Sequence, residues 1–186
     1  MSGATTKARG GFTLIELMVV IAIIGLLASL ILASLNSAKT KGVNARIQSD
    51  IHQYQNALEL YYTKNGAYPT PTAGNNTWVC LGKGYTVQAG YCWKNNNTND
   101  ADDPGLDTAL TQFIPGPPPG QSITVGSFIY DGYIYKVTGN GTGYEIRWIL
   151  NGTNLACSYL NGHQGGAYNG NTDNANVATT CDLLVP

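Results

Sequence analysis

Gly10-Gly11-Phe12-Thr13-Leu14-Ile15-Glu16-Leu17 sets two glycines against an apolar run that continues to Leu35 and holds one carboxylate. Between Phe12 and Leu35 no side chain other than Glu16 carries a charge. Roughly 20 apolar residues suffice for a helix to cross the hydrocarbon of a bilayer, so the run reads as a membrane span. An ionised glutamate inside it costs about 2.5 to 3.5 kcal/mol near the centre and less near an interface, so an intramembrane acid calls for a partner. A cleavage before Phe12 would supply one, the new terminal amine.

Alternative readings of the same stretch fit less well. A secretory signal peptide has a shorter apolar core with its cleavage site behind it, whereas here the glycine pair lies in front. A plain signal anchor tolerates Lys7 and Arg9 but has no use for Gly-Gly-Phe followed by an acid. The positive-inside rule leaves orientation open, because Lys7 and Arg9 on one side face Lys39, Lys41 and Arg46 on the other.

The stretch GGFTLIELMVVIAIIGLLASLILASLNSAK resembles the class III signal and N-terminal helix of type IV pilins and pseudopilins. The resemblance is strong from Gly10 to about Lys39, extends more weakly to the Tyr68-Pro69 turn, and does not reach the residues beyond. It implies cleavage by a prepilin peptidase between Gly11 and Phe12 and N-methylation of Phe12, with Glu16 at the place of the family's glutamate; the charge argument adds an expected assembly salt bridge in which Glu16 of one subunit meets the Phe12 amine of another. The resemblance also implies a fold, α+β and pilin-like, with a long N-terminal hydrophobic helix packed on a small antiparallel β-sheet head. Many pilins carry a proline in the middle of this helix; here it is missing, with Ala33 near its place.

The expected organisation is a leader at 1–11, the membrane or filament-core half of the helix at 12–38, and a head at 39–186. The head would comprise the amphipathic half of the helix (39–64), a loop region (65–122) and an antiparallel sheet with a C-terminal loop (123–186). Val43, Ile47, Ile51, Tyr54, Leu58 and Tyr61 recur at steps of three and four and form one apolar stripe. Asn65-Gly66 supplies a stop, and Pro69 prevents resumption. Phe128–Asp131 and Tyr133–Val137 flank an Asp-Gly pair, a hairpin cue. Tyr144–Leu150 and Leu155–Leu160 would extend a meander. The strip Thr70–Pro119 reads as irregular, with a short helix near Leu106–Phe113.

The 186-residue chain is 11% charged with a formal net charge of −1, and loss of Lys7 and Arg9 would take it to −3. That balance speaks against broad capture of nucleic-acid phosphates. The four cysteines, Cys80, Cys92, Cys157 and Cys181, all follow the apolar segment, which favours an oxidising side for the head. They show no Cys-x-x-Cys pair. Of the three connectivities, Cys80-Cys92 with Cys157-Cys181 is preferred because each closes a loop rich in Asn, Gly and Thr, worth on the order of 3 kcal/mol. The resemblance agrees with the second pair.

Catalysis finds no foothold. His52 lies off the helix stripe, His163 sits in a Gly-rich loop, and Gly139–Gly143 joins two strands instead of opening a helix, so it is no phosphate cradle. Asp100, Asp102, Asp103 and Asp107 crowd a short loop with oxygens of the type calcium prefers, without EF-hand spacing; a solvated turn capping a short helix is the plainer reading. The chain is thus expected to be non-enzymatic and free of cofactors, calcium aside.

Its expected role is structural subunit of a type IV pilus or pilus-like filament, polymerised through its N-terminal helix. The alternatives are a pseudopilin of a type II secretion system and a non-polymerising, membrane-tethered binding module using Trp78, Trp93 or Trp148. The resemblance implies as partners copies of itself or other pilins, the prepilin peptidase, an inner-membrane assembly platform and, before assembly, membrane lipid. It implies single-pass placement in the inner membrane with the head outside the cytoplasm, then an extracellular or periplasmic filament.

Overall fold

The computed structural model describes residues 11–82, 90–94, 99–114, 122–125, 128–153, 155–157, 164–168 and 178–186. The chain divides into two compact units, Met1–Lys41 and Gly42–Pro186.

No proline interrupts the chain before Pro69, and helix α1 runs from Leu14 to Asn65. Glu16 in its first turn and Lys64 in its last suit the helix dipole. The helix stops where Gly66 takes φ +76° and donates its N–H to the Tyr62 carbonyl at 2.7 Å. A left-handed residue just past the last turn is the glycine cap that the Asn65-Gly66 pair announces.

In the first unit every large apolar side chain from Phe12 to Leu35 is exposed. The helix is apolar all round there, long enough to cross a membrane by length and composition. Water is a poor solvent for such a surface; lipid or other helices suit it.

In the second unit the stripe on α1 is covered. Ile47, Ile51, Tyr54 and Leu58 are 1% exposed or less, each burial contributing about 1.5 to 3 kcal/mol for a large apolar side chain. The cover is an antiparallel sheet of β1 (Val79–Leu81), β6 (Tyr133–Thr138), β7 (Gly143–Asn151), β9 (Ala178–Val185) and β8 (Gln164–Tyr168), in that spatial order. Side chains alternate along these strands as the pleat requires. Val79, Leu81, Tyr133, Tyr135, Val137, Tyr144, Ile146, Trp148, Leu150, Cys181 and Leu183 join the stripe in one core. On the other face stand Lys136, Glu145, Arg147 and Asp182, with Lys136 opposite Glu145 and Arg147 opposite Asp182 in register.

A second antiparallel sheet has the order β3 (Asn99–Ala101), β2 (Tyr91–Lys94), β5 (Phe128–Asp131), β4 (Ser122–Val125). The Asp131-Gly132 pair is therefore not the hairpin expected from the sequence. Strand β5 pairs with β2 and β4, while β6 pairs with β1 and β7. One residue, Gly132 at φ +111°, is too little chain to reverse between paired strands. It redirects the chain from one sheet into the other.

Two further expectations are corrected. The strip Thr70–Pro119 is not wholly irregular: it holds β1, β2, β3 and helix α2 (Pro104–Leu110). Leu155–Leu160 supplies no strand at 155–157, and 158–160 lie outside the described residues. The side of β7 away from β6 is taken by β9. The Leu155 N–H is held instead by Thr179 Oγ1 at 3.1 Å, and the Ala156 carbonyl accepts from Gln48 Nε2 at 2.9 Å.

Candidate assembly site at the N-terminal helix

The start of α1 is built by its own sequence. Thr13 precedes the first helical residue, and Glu16 stands three positions on. The Thr13 N–H and Oγ1–H both donate to Glu16 Oε2 at 2.8 Å, and the Glu16 N–H donates to Thr13 Oγ1 at 3.3 Å. This is a capping box, in which two side chains reciprocally satisfy backbone donors that a helix start leaves open. Sequence reasoning that treated Glu16 only as a charge awaiting a cation missed Thr13, although Thr-x-x-Glu before an apolar run is the signature of this cap. The carboxylate has an internal role before any second subunit arrives. Both Thr13 donors converge on Oε2, and the side chain stays exposed beside Phe12, Ile15, Val19 and Val20, which line a shallow apolar groove.

In the second unit polar pins fasten α1 to the sheet. Asn44 donates from Nδ2 to the Asn151 carbonyl at 2.9 Å and accepts the Asn151 N–H on Oδ1 at 2.9 Å, so its amide pairs with that backbone as another strand would. One α-helical turn on, Gln48 holds Ala156. Asp50, 5% exposed, accepts the Tyr133 hydroxyl at 2.8 Å, with Arg46 Nε 3.9 Å away. Burial pushes the Asp50 carboxyl above its usual range, against the opposing pull of the Tyr133 hydrogen bond and of Arg46. The hydroxyls of Tyr133 and Tyr54 are likewise pushed far up, chiefly by burial.

Cysteine pairs close both loops of the head. Cys80 of β1 bonds Cys92 of β2 and so joins the two sheets; Cys157 bonds Cys181 of β9. The first pair packs with Ile134, Trp78 and Trp93 in a small cluster of its own.

Two of the four acidic residues of the calcium expectation, Asp103 and Asp107, are hydrogen-bonded within the chain. Asp103 caps α2, accepting the Leu106 N–H on Oδ1 at 2.9 Å and the Thr72 N–H on Oδ2 at 2.6 Å. Asp107 is buried and accepts the Gly82 N–H at 3.2 Å. Asp102 is exposed, and the side chain of Asp100 lies outside the described residues. Among the described residues no three His, Cys, Asp or Glu gather as metal ligands. The tryptophans differ in their surroundings. Trp148 is fully buried in the core, Trp93 donates to the Gly132 carbonyl at 3.2 Å, and Trp78 lies 4.5 Å from both Lys136 Nζ and Arg147 Cζ.

Residues 6–32 match the prokaryotic N-terminal methylation motif. The type II secretion system core protein G of Escherichia coli K12 is 49% identical over 76 residues, 41% of this chain and 52% of that protein. The proteins of the same name from Aeromonas hydrophila and Vibrio cholerae are 44% and 42% identical over 73 and 68 residues, 39% and 37% of this chain and 51% and 47% of theirs. The chain thus spans about half the length of the curated relatives it matches. No solved structure matches it significantly. The methylation motif, the apolar helix that it opens and the likeness to core protein G over about half of that protein's length are what this chain has in common with type IV pilin-like proteins.

Proposed function

We propose that this chain is a non-catalytic structural subunit of a pilus-like filament, cleaved by a prepilin peptidase between Gly11 and Phe12, N-methylated at Phe12 and polymerised through α1. The observation that carries the reading is the first unit itself. An apolar surface from Phe12 to Leu35, broken by the single carboxylate of Glu16 and exposed on all sides, overlaps a methylation motif at 6–32. Before assembly lipid covers that surface; in a filament the helices of other copies or of other pilins do, with an inner-membrane platform moving subunits from one to the other. The head lies outside the cytoplasm, a side that suits its two disulfides.

Between a type IV pilus and a secretion pseudopilus, the second is favoured by the likeness to core protein G. The reading as a membrane-tethered binding module that never polymerises draws less support, since Trp148 is buried and Trp78 is flanked by cations.

In the mechanism proposed, cleavage exposes a cationic terminus at Phe12, and methylation keeps its charge. The amine of an incoming subunit meets Glu16 of a subunit already in place, so that each charge is neutralised where lipid would penalise it. The capping box holds the receiving carboxylate by Oε2. Glu16→Gln and Glu16→Ala test this. Processing at wild-type level with loss of fibres supports the pairing, and fibres at wild-type yield overturn it.

A further inference from the structure

The head-side end of the span carries two lysines that the assembly reading does not use. Lys39 and Lys41 are both exposed on α1, and no carboxylate occurs in the sequence between Glu16 and Asp50. Asp50 is buried and already engaged by Tyr133 and Arg46. No ion pair of Lys39 or Lys41 is formed among the described residues. With the head outside the cytoplasm, cations at this position run against the usual positive-inside bias, so their place calls for a use.

Helix geometry gives one. At 1.5 Å per residue Lys39 stands about 6 Å and Lys41 about 9 Å beyond Leu35, the last large apolar residue of the run. The polar headgroup layer is about 5 to 7 Å thick on each side of the hydrocarbon. If Leu35 sits at the hydrocarbon edge, Lys39 lies within the phosphate layer and Lys41 at its outer border, within reach of a side chain that extends its charge along the surface. Successive residues turn by about 100°, so the two lysines lie about 200° apart around α1 and meet separate headgroups.

We propose that Lys39 and Lys41 form a collar that binds anionic phospholipid headgroups of the head-side leaflet and sets the depth of the span. The inference rests on the membrane-span reading of Phe12–Leu35, but not on polymerisation. Loss of Lys7 and Arg9 with the leader would then invert the charge asymmetry of the span, leaving head-side side chains as its lipid anchor.

The test uses the full chain in nanodiscs of phosphatidylcholine and phosphatidylglycerol, with retained lipids read by native mass spectrometry. Phosphatidylglycerol should be enriched over its share of the disc. The Lys39→Gln/Lys41→Gln variant should lower that enrichment by about fivefold or more, the effect of roughly one lysine at an anionic surface, while Arg46→Gln leaves it unchanged. Equal enrichment in wild type and the double variant overturns the collar. A chain that does not enter the discs overturns the membrane reading with it, whereas a chain that binds lipid but forms no fibres overturns only the filament reading.

Discussion

Asp50 shows how a single side chain couples the helix to the sheet. Its carboxyl is raised by burial, so its folded-state pKa lies above the unfolded value of about 3.9. Such a group favours folding when protonated, and its contribution is lost as pH rises from the unfolded value through the folded one. The groups that face it are Arg46 and Tyr54 on α1 and Tyr133 on β6; Tyr54 in turn faces Asp107 on α2. Asp50→Asn keeps an acceptor for Tyr133 and removes the buried charge. Urea melts of the variant should therefore show equal or higher stability than wild type at pH 7, with part of the wild type's gain at mildly acid pH gone. Tyr133→Phe should instead cost about 1 to 3 kcal/mol at pH 7, because it strips a donor from a buried carboxylate. Thr13→Ala should weaken the helix start by about 1 kcal/mol, the usual loss of a cap, visible as faster amide exchange over Leu14–Leu17.

Among the elements, α1 was legible from its residues because a 3.6-residue period sustained from Val43 to Tyr61 has one reading. The short strands β1 and β3 were not, since three residues cannot display a period of two. Strand β9 follows an Asn- and Thr-rich stretch and pairs with β7 across a long separation, a choice that no local pattern announces. The Asp-Gly pair misled for the same reason: it marks a bend, and whether the flanking strands pair with each other is decided by β1, β2, β4 and β7. At the assembly site Glu16 stands out by its charge, while Thr13, a single uncharged hydroxyl at the start of an apolar run, does not. Two predictions belong here. Replacing Cys80 and Cys92 by Ala removes the link between the two sheets and should lower stability by about 2 to 4 kcal/mol, measured by denaturant melts with and without reductant. Asn44→Ala breaks both hydrogen bonds to Asn151 and should cost about 1 to 3 kcal/mol, with increased amide exchange at Asn151.

For the whole molecule, the two units present opposite solutions to one problem. In Gly42–Pro186 the apolar stripe of α1 is buried by the molecule's own sheet; in the first unit the apolar surface of the same helix is uncovered among the described residues. A chain left in that condition needs a second phase, and proteolysis at Gly11-Phe12 is the proposed event that changes lipid for protein. The measurement that tests this most directly is the intact mass of the subunit recovered from native fibres. The account predicts a chain that begins at Phe12 and carries a methyl group on its amine. Fibres built of subunits that retain Met1 to Gly11 would contradict it.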